Sequence, residues 1–171
     1  MNSETNSQAP MQTDAQTHQF DSNGLYILVT DQGGSFGTIY HWGLYLHKSG
    51  NDGETFHISN SEGPWLYHAK STTRVVSSKS LLAGLKVSTI RPETHEALRR
   101  RLAVVPLEDT GFGELSCITW VLDALLELDE EKGIIIQKDR VRYMELEARE
   151  WAQKATKDKK CVIFKSKYYR G

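Results

Sequence analysis

Apolar and polar residues alternate through the first half of the chain and follow a helical spacing through much of the second. Gly24-Leu25-Tyr26-Ile27-Leu28-Val29-Thr30 is rich in β-formers and predicts a first strand. A glycine-rich loop follows over Asp31–Gly37, and Thr38–His47 predicts a second strand. Lys48–Gly53 carries strong turn chemistry, so Glu54–Ser59 is expected to return as the third strand of a hairpin. Pro64–His68 and Thr72–Val76 are expected as two further strands, and Leu85–Ile90 alternates and ends the β-rich half. Pro92 at a first-turn position, with Ala97, Leu98, Leu102 and Val105, predicts a helix to about Val104. A second helix is expected from Cys117, capped by Ser116 and ending before Gly133, and a third over Lys138–Ala155. Cys161–Phe164 is expected to close the fold as a strand or docked segment. The predicted class is α+β, an antiparallel sheet with the cysteine-bearing helix packed across it.

Three regions are expected. Residues 1–20 contain almost no apolar content and are predicted to be a disordered tail, because too little surface is available to offset the entropy of ordering. Residues 21–155 form the folded domain. Residues 156–171 form a basic C-terminal segment containing the closing strand. Its lysines, with Arg170, Phe164, Tyr168 and Tyr169, admit binding to nucleic acid through phosphates and stacking. A solvated helix end explains the same composition, because cations favour helix C-termini, and nucleic acid is not the expected partner. Arg99-Arg100-Arg101 is expected to be a solvated helix face with one arginine over the core; an anion-binding spot is the sharper alternative.

Hydrophobic residues make up 39% and charged residues 25% of the sequence, ordinary values for one globular domain. A net charge of −1 gives the whole molecule no long-range attraction to nucleic acid or anionic membrane. No apolar run approaches the roughly 20 residues of a membrane span, and nothing at the N-terminus reads as a secretory signal. A cytoplasmic location and two reduced cysteines, Cys117 and Cys161, are therefore expected.

The candidate chemistry lies in His41, His57 and Cys117. Alternation puts His41, Gly43 and Tyr45 on one face of the second strand and Trp42, Leu44 and Leu46 on the other, which is expected to be core. If the hairpin pairs with polar faces matched, His57 lands beside His41; a slip of one residue would reverse this. Cys117 at a helix start meets unpaired backbone N–H groups, which favour a thiolate and can bind an oxyanion. His41 would then act as base and acid, with His57 fixing its tautomer. Trp42, Tyr45, Trp65, Tyr67 and His68 are candidates for lining a pocket for a small-molecule or peptide substrate, with Trp42 and Trp65 better read as core. The chemistry needs no cofactor. A metal site of His41, His57, His68 and a carboxylate is a further alternative, but the spacing fits no compact ligand motif.

The segment His41-Trp42-Gly43-Leu44-Tyr45-Leu46, a glycine turn, and Phe56-His57-Ile58 resembles the histidine box of lecithin:retinol acyltransferase-like proteins. That box runs His-Trp-Ala-Ile-Tyr-Val, a short glycine turn, and a second histidine between apolar residues. Those proteins are a circularly permuted branch of the NlpC-type, papain-like thiol enzymes, with histidine ahead of cysteine in the chain, as here. The resemblance implies a permuted papain-like fold, His41 as base, His57 as orienting residue and Cys117 as nucleophile. The family's cysteine box commonly reads Asn-Cys-Glu-His, where this chain has Ser116-Cys117-Ile118-Thr119. The hairpin turn is also longer here, and the C-terminal membrane anchor of many acyltransferases is not expected. The resemblance thus implies a cysteine-dependent hydrolase or acyltransferase acting on an amide, ester or thioester, and not a lipid acyltransferase as such. A non-catalytic binding module on the same fold is the alternative.

Overall fold

The structure, a computed structural model, describes residues 19–130 and 140–169. The expected tail before residue 19, the stop at Gly133, the start of the third helix at Lys138, and Arg170 lie outside the described residues.

Six strands, β1 (Gly24–Asp31), β2 (Tyr40–Ser49), β3 (Asp52–Ser59), β4 (Leu66–Thr73), β5 (Leu81–Thr89) and β6 (Val162–Lys165), form one sheet in the order β4-β3-β2-β1-β5-β6. All neighbours are antiparallel except β5 and β6, which run parallel. Three helices, α1 (His95–Leu102), α2 (Cys117–Glu130) and α3 (Val141–Asp158), complete an α+β fold.

Period-two alternation decides which face of the sheet the helices cover. Leu25, Ile27 and Val29 of β1, Trp42, Leu44 and Leu46 of β2, and Phe56 and Ile58 of β3 share one buried cluster. Into the same cluster come Leu98 and Leu102 of α1, Trp120, Val121 and Leu125 of α2, and Met144 and Ala148 of α3. The intervening residues Tyr26, Leu28 and Tyr45 face the other way and pack with Leu81, Ile163 and Phe20 in a smaller cluster. Phe20, assigned to the tail from sequence, is thus part of the fold: its ring meets Tyr26 and Tyr45 edge-on at 4.8 and 4.9 Å.

Several element boundaries differ from expectation. The two strands expected over Pro64–Val76 are one strand, β4, followed by a single 3-10 turn at Val75–Ser77. β4 is an edge strand with mostly exposed residues, so burial imposes little alternation on its sequence. Pro92 opens a 3-10 turn, and α1 proper starts at His95. β5 begins four residues earlier than expected, and α3 runs on to Asp158. The expected closing strand is present as β6 and pairs with β5 rather than standing apart.

Two carboxylates tie the layers together. Glu54, buried on the helix side of β3, accepts from Arg99 Nε at 2.8 Å and Nη2 at 2.6 Å. Hydrogen bonds from Arg99 hold its carboxyl below the ordinary range despite burial, and Lys48 adds a weaker attraction. Arg99 also pairs with Glu96, and Arg101 with Glu127 at 3.0 Å, so two of the three consecutive arginines are held by carboxylates rather than presented to an anion. Glu147 is the second carboxylate: it accepts from Ser166 Oγ at 2.6 Å and from the Lys167 amide at 3.0 Å, fastening the segment after β6 to α3.

Glu54→Ala is expected to destabilise the fold by about 1–3 kcal/mol, a range discounted because Arg99 is partly solvated. Urea unfolding at neutral pH measures it. Because the folded carboxyl sits below its unfolded value, the difference from wild type should shrink as pH falls through that lowered value.

Candidate functional site

The hairpin sets the histidine geometry. β2 and β3 pair in a register with Leu44 opposite Phe56 and Tyr45 opposite Thr55, which matches their polar faces. His41 and His57 therefore share the face turned away from the helices. His41 Nε2 lies 3.0 Å from His57 Nδ1, the two rings perpendicular. One nitrogen donates and the other accepts, so the contact correlates the two tautomers and leaves Nδ1 as the other ring nitrogen of His41. Gly43 makes the approach feasible: a Cβ there would lie 2.9 Å from the Phe56 carbonyl and 3.1 Å from His57 Cβ. His68, opposite His57 on β4, stacks on it with centroids 5.1 Å apart. The result is a row of three imidazoles across three strands. His41 and His57 border a recess of about 140 Å³ shared with Leu28, Thr30, Gly43 and Thr55.

His41 and His57 resist protonation. Burial chiefly, then repulsion from His57 and His68, lowers the His41 pKa from 6.5 to about 4. Burial and then His68 also lower His57. At neutral pH His41 is an uncharged imidazole. Among the described residues, no group of three or more His, Cys, Asp or Glu side chains is arranged to hold a metal ion.

Cys117 is the first residue of α2 and is half-buried. Ser116 caps the helix as expected: its Oγ accepts from the Thr119 amide at 3.2 Å, and Thr119 Oγ1 accepts in return from the Ser116 amide at 2.9 Å. This reciprocal cap fixes the helix start at the thiol. Burial pushes the thiol pKa up; hydrogen bonds with the backbone of Trp42, Cys117 and Ile118, and the Arg149 charge, pull against it. The sulfur thus meets β2 at the residue next to His41. There the β1–β2 pairing extends out to Asp31–Tyr40, whereas the β2–β3 pairing stops at Leu44–Phe56.

Thiol and imidazoles approach β2 from opposite faces. Cys117 packs with the large cluster on the helix side, and His41 looks out on the other. Among the described residues, the ring hydrogen bond of His41 goes to His57 and none joins an imidazole to Cys117.

The expected lining residues divide in the same way. Trp42 is fully buried beneath the Arg149 guanidinium, which lies 5.5 Å from its ring, so it is a core residue. Tyr45 is also fully buried, on the histidine face, and its hydroxyl bonds His47 Nδ1 at 3.0 Å; burial pushes its pKa up to about 12. Trp65 is half-buried against the main core. Tyr67 rests on Trp120 at 5.7 Å between centroids, on the helix side. Of the five, only His68 joins the histidine row. Arg149 and Thr119 were missed from sequence. Thr119 was visible as the third residue after Ser116, a capping-box spacing. Arg149 had no local signal beyond its i+4 relation to Glu145, with which it pairs at 2.8 Å.

The low pKa of His41 has a thermodynamic consequence. The unfolded chain takes up this proton near pH 6.5 and the folded protein only near 4, so stability from this group is full above 6.5 and is lost as pH falls toward 4. The urea midpoint is expected to fall across that window, and His41→Gln should flatten the decline.

Among the described residues no helix is long and apolar enough to cross a membrane. No curated protein and no solved structure matches the chain. A family model does match, over residues 23–166, from the start of β1 past the end of β6. With that span covered, the chain belongs to DUF6914, a family of unknown function.

Proposed function

We propose that this domain is a cysteine-dependent hydrolase or acyltransferase of the permuted papain-like type. Cys117 would be the nucleophile, His41 the general base and then acid, and His57 the residue that holds His41. The observation that carries the reading is where the sulfur sits: at a capped helix start, against the Trp42 backbone, beside the end of the β2–β3 pairing. The His41–His57 contact fixes the tautomer of His41 in the resting state, on the face away from the sulfur, and is released when His41 serves the thiol. The chemistry is attack of sulfur on an amide, ester or thioester carbonyl, transfer of the thiol proton to His41, and its return to the leaving group. Water or another acceptor then releases the acyl group. The backbone N–H groups of Cys117 and Ile118 in the first turn of α2 would bind the oxyanion. For the proton to move, the end of β2 at Tyr40–His41, which β3 does not pair, must change its backbone conformation and carry the ring to the sulfur's side. That motion is part of the proposal.

A second reading, a non-catalytic binding module, is favoured by the electrostatics. Burial keeps the thiol protonated at neutral pH, and an imidazole with a pKa of about 4 is a weak base.

Acylation separates the two. Incubation with p-nitrophenyl acetate at neutral pH, followed by intact-mass and peptide-mass analysis, is expected to place an acetyl group on Cys117. His41→Ala should slow its formation by about 10²–10⁴-fold, the usual worth of a general base. An adduct that forms equally fast in His41→Ala, or none on Cys117, eliminates the enzyme and leaves the binding module.

A further inference from the structure

On the histidine face, but at the far end of β2 from His41, lies a cleft of about 220 Å³ that the proposed chemistry does not use. One wall is the Phe20 ring, backed by the buried Tyr45 and His47 at 4.9 and 5.6 Å between centroids. Val75 and Val76 on the 3-10 turn after β4 line it as well, and Gln19, Gly50, Asn51 and Arg74 complete the lining.

Three features make this a built site. The backing of the Phe20 wall is rigid: Tyr45 lies across Gly53, where any Cβ would come within 2.4 Å of its ring, and its hydroxyl is fixed on the buried His47. Arg74 is held in the left-handed region, at φ 55° and ψ 38°, where a side chain is strained and glycine is not. Its amide donates to the Asn51 carbonyl at 2.9 Å, and its carbonyl accepts from the Ser77 amide at 2.9 Å, which anchors the strained residue between two turns. Finally, Arg74 is the one charged side chain among the described residues lining the cleft, and among the described residues no carboxylate pairs with it. Asp21 and Asp52 act on His47 but do not line the cleft, and Asp21 is engaged by Lys86 at 2.7 Å.

We infer that this cleft binds a small aromatic acid, its ring between Phe20 and the two valines and its carboxylate on Arg74. The volume supports one substituted ring, since a cavity of about 150 Å³ already admits benzene. A guanidinium matches a carboxylate with two parallel hydrogen bonds, and Asn51 stands beside it as a further polar group. Arginine in a glycine conformation is then the cost of placing that charge at the mouth of the cleft.

The test is amide NMR titration of the full chain with benzoate, benzylamine and benzyl alcohol. Benzoate is expected to shift the amides of Asn51, Arg74, Val75 and Val76, at least about tenfold more tightly than either control. In Arg74→Gly the backbone strain is relieved, so the melting temperature should hold or rise while benzoate affinity drops about tenfold or more. The inference is overturned if benzoate leaves those amides unmoved, if benzylamine binds as well, or if Arg74→Gly retains benzoate. None of these outcomes involves Cys117, so the result is independent of the acylation experiment.

Discussion

A β-strand sends consecutive side chains to opposite faces, and in β2 this constraint governs the entire molecule. Trp42, Leu44 and Leu46 go to the helices, so His41, Gly43, Tyr45 and His47 must go to the side the helices leave open. Everything distinctive follows. The imidazoles gather on an outer face where neighbouring strands can contribute His57 and His68 to the same row. The helix carrying Cys117 arrives from the inner face and stops at the strand's backbone. The aromatic cleft around Tyr45 and His47 belongs to the outer face too. β2 therefore contributes His41 to the histidine row at one end and His47 to the second cleft at the other.

Much of this was legible in the residues. The alternation of β2 gave its two faces, the glycine-rich turn gave the hairpin, and Ser116 gave the start of α2. The pairing of His57 with His41 needed the hairpin register, which turn chemistry constrains but does not fix. What local pattern does not reveal is how a helix tip is aimed. A cysteine at a helix start and a histidine on a strand suggest contact, yet the helix is docked by its apolar residues, and these seek Trp42's side of the strand, not His41's. Nor does a short run such as Val162–Phe164 specify its partner; its parallel place beside β5 depends on the three helices between them. β4 was divided in two because exposed edge residues carry little hydrophobic signal.

Electrostatics sharpens the functional question beyond geometry. The two halves of the candidate site are each shifted toward neutrality by burial, the imidazole downward and the thiol upward. A thiolate–imidazolium pair would reverse both shifts at once, since each charge would stabilise the other. An acyl-transfer cycle here would consequently be tied to conformational change, with the resting state holding a protonated sulfur.

The parallel pairing of β6 with β5 also bears on how the chain assembles. Antiparallel β1 to β4 are joined by local turns, whereas β5 must return past them to pair with β1, and its other rim stays open until α1, α2 and α3 have docked and brought β6 alongside. During that interval the rim presents unsatisfied amides and carbonyls next to an apolar surface, the kind of template that invites another molecule to add a strand. Closing that rim therefore depends on the helices, and the Glu147 hydrogen bonds to Ser166 and Lys167 are what tie the segment after β6 back to α3.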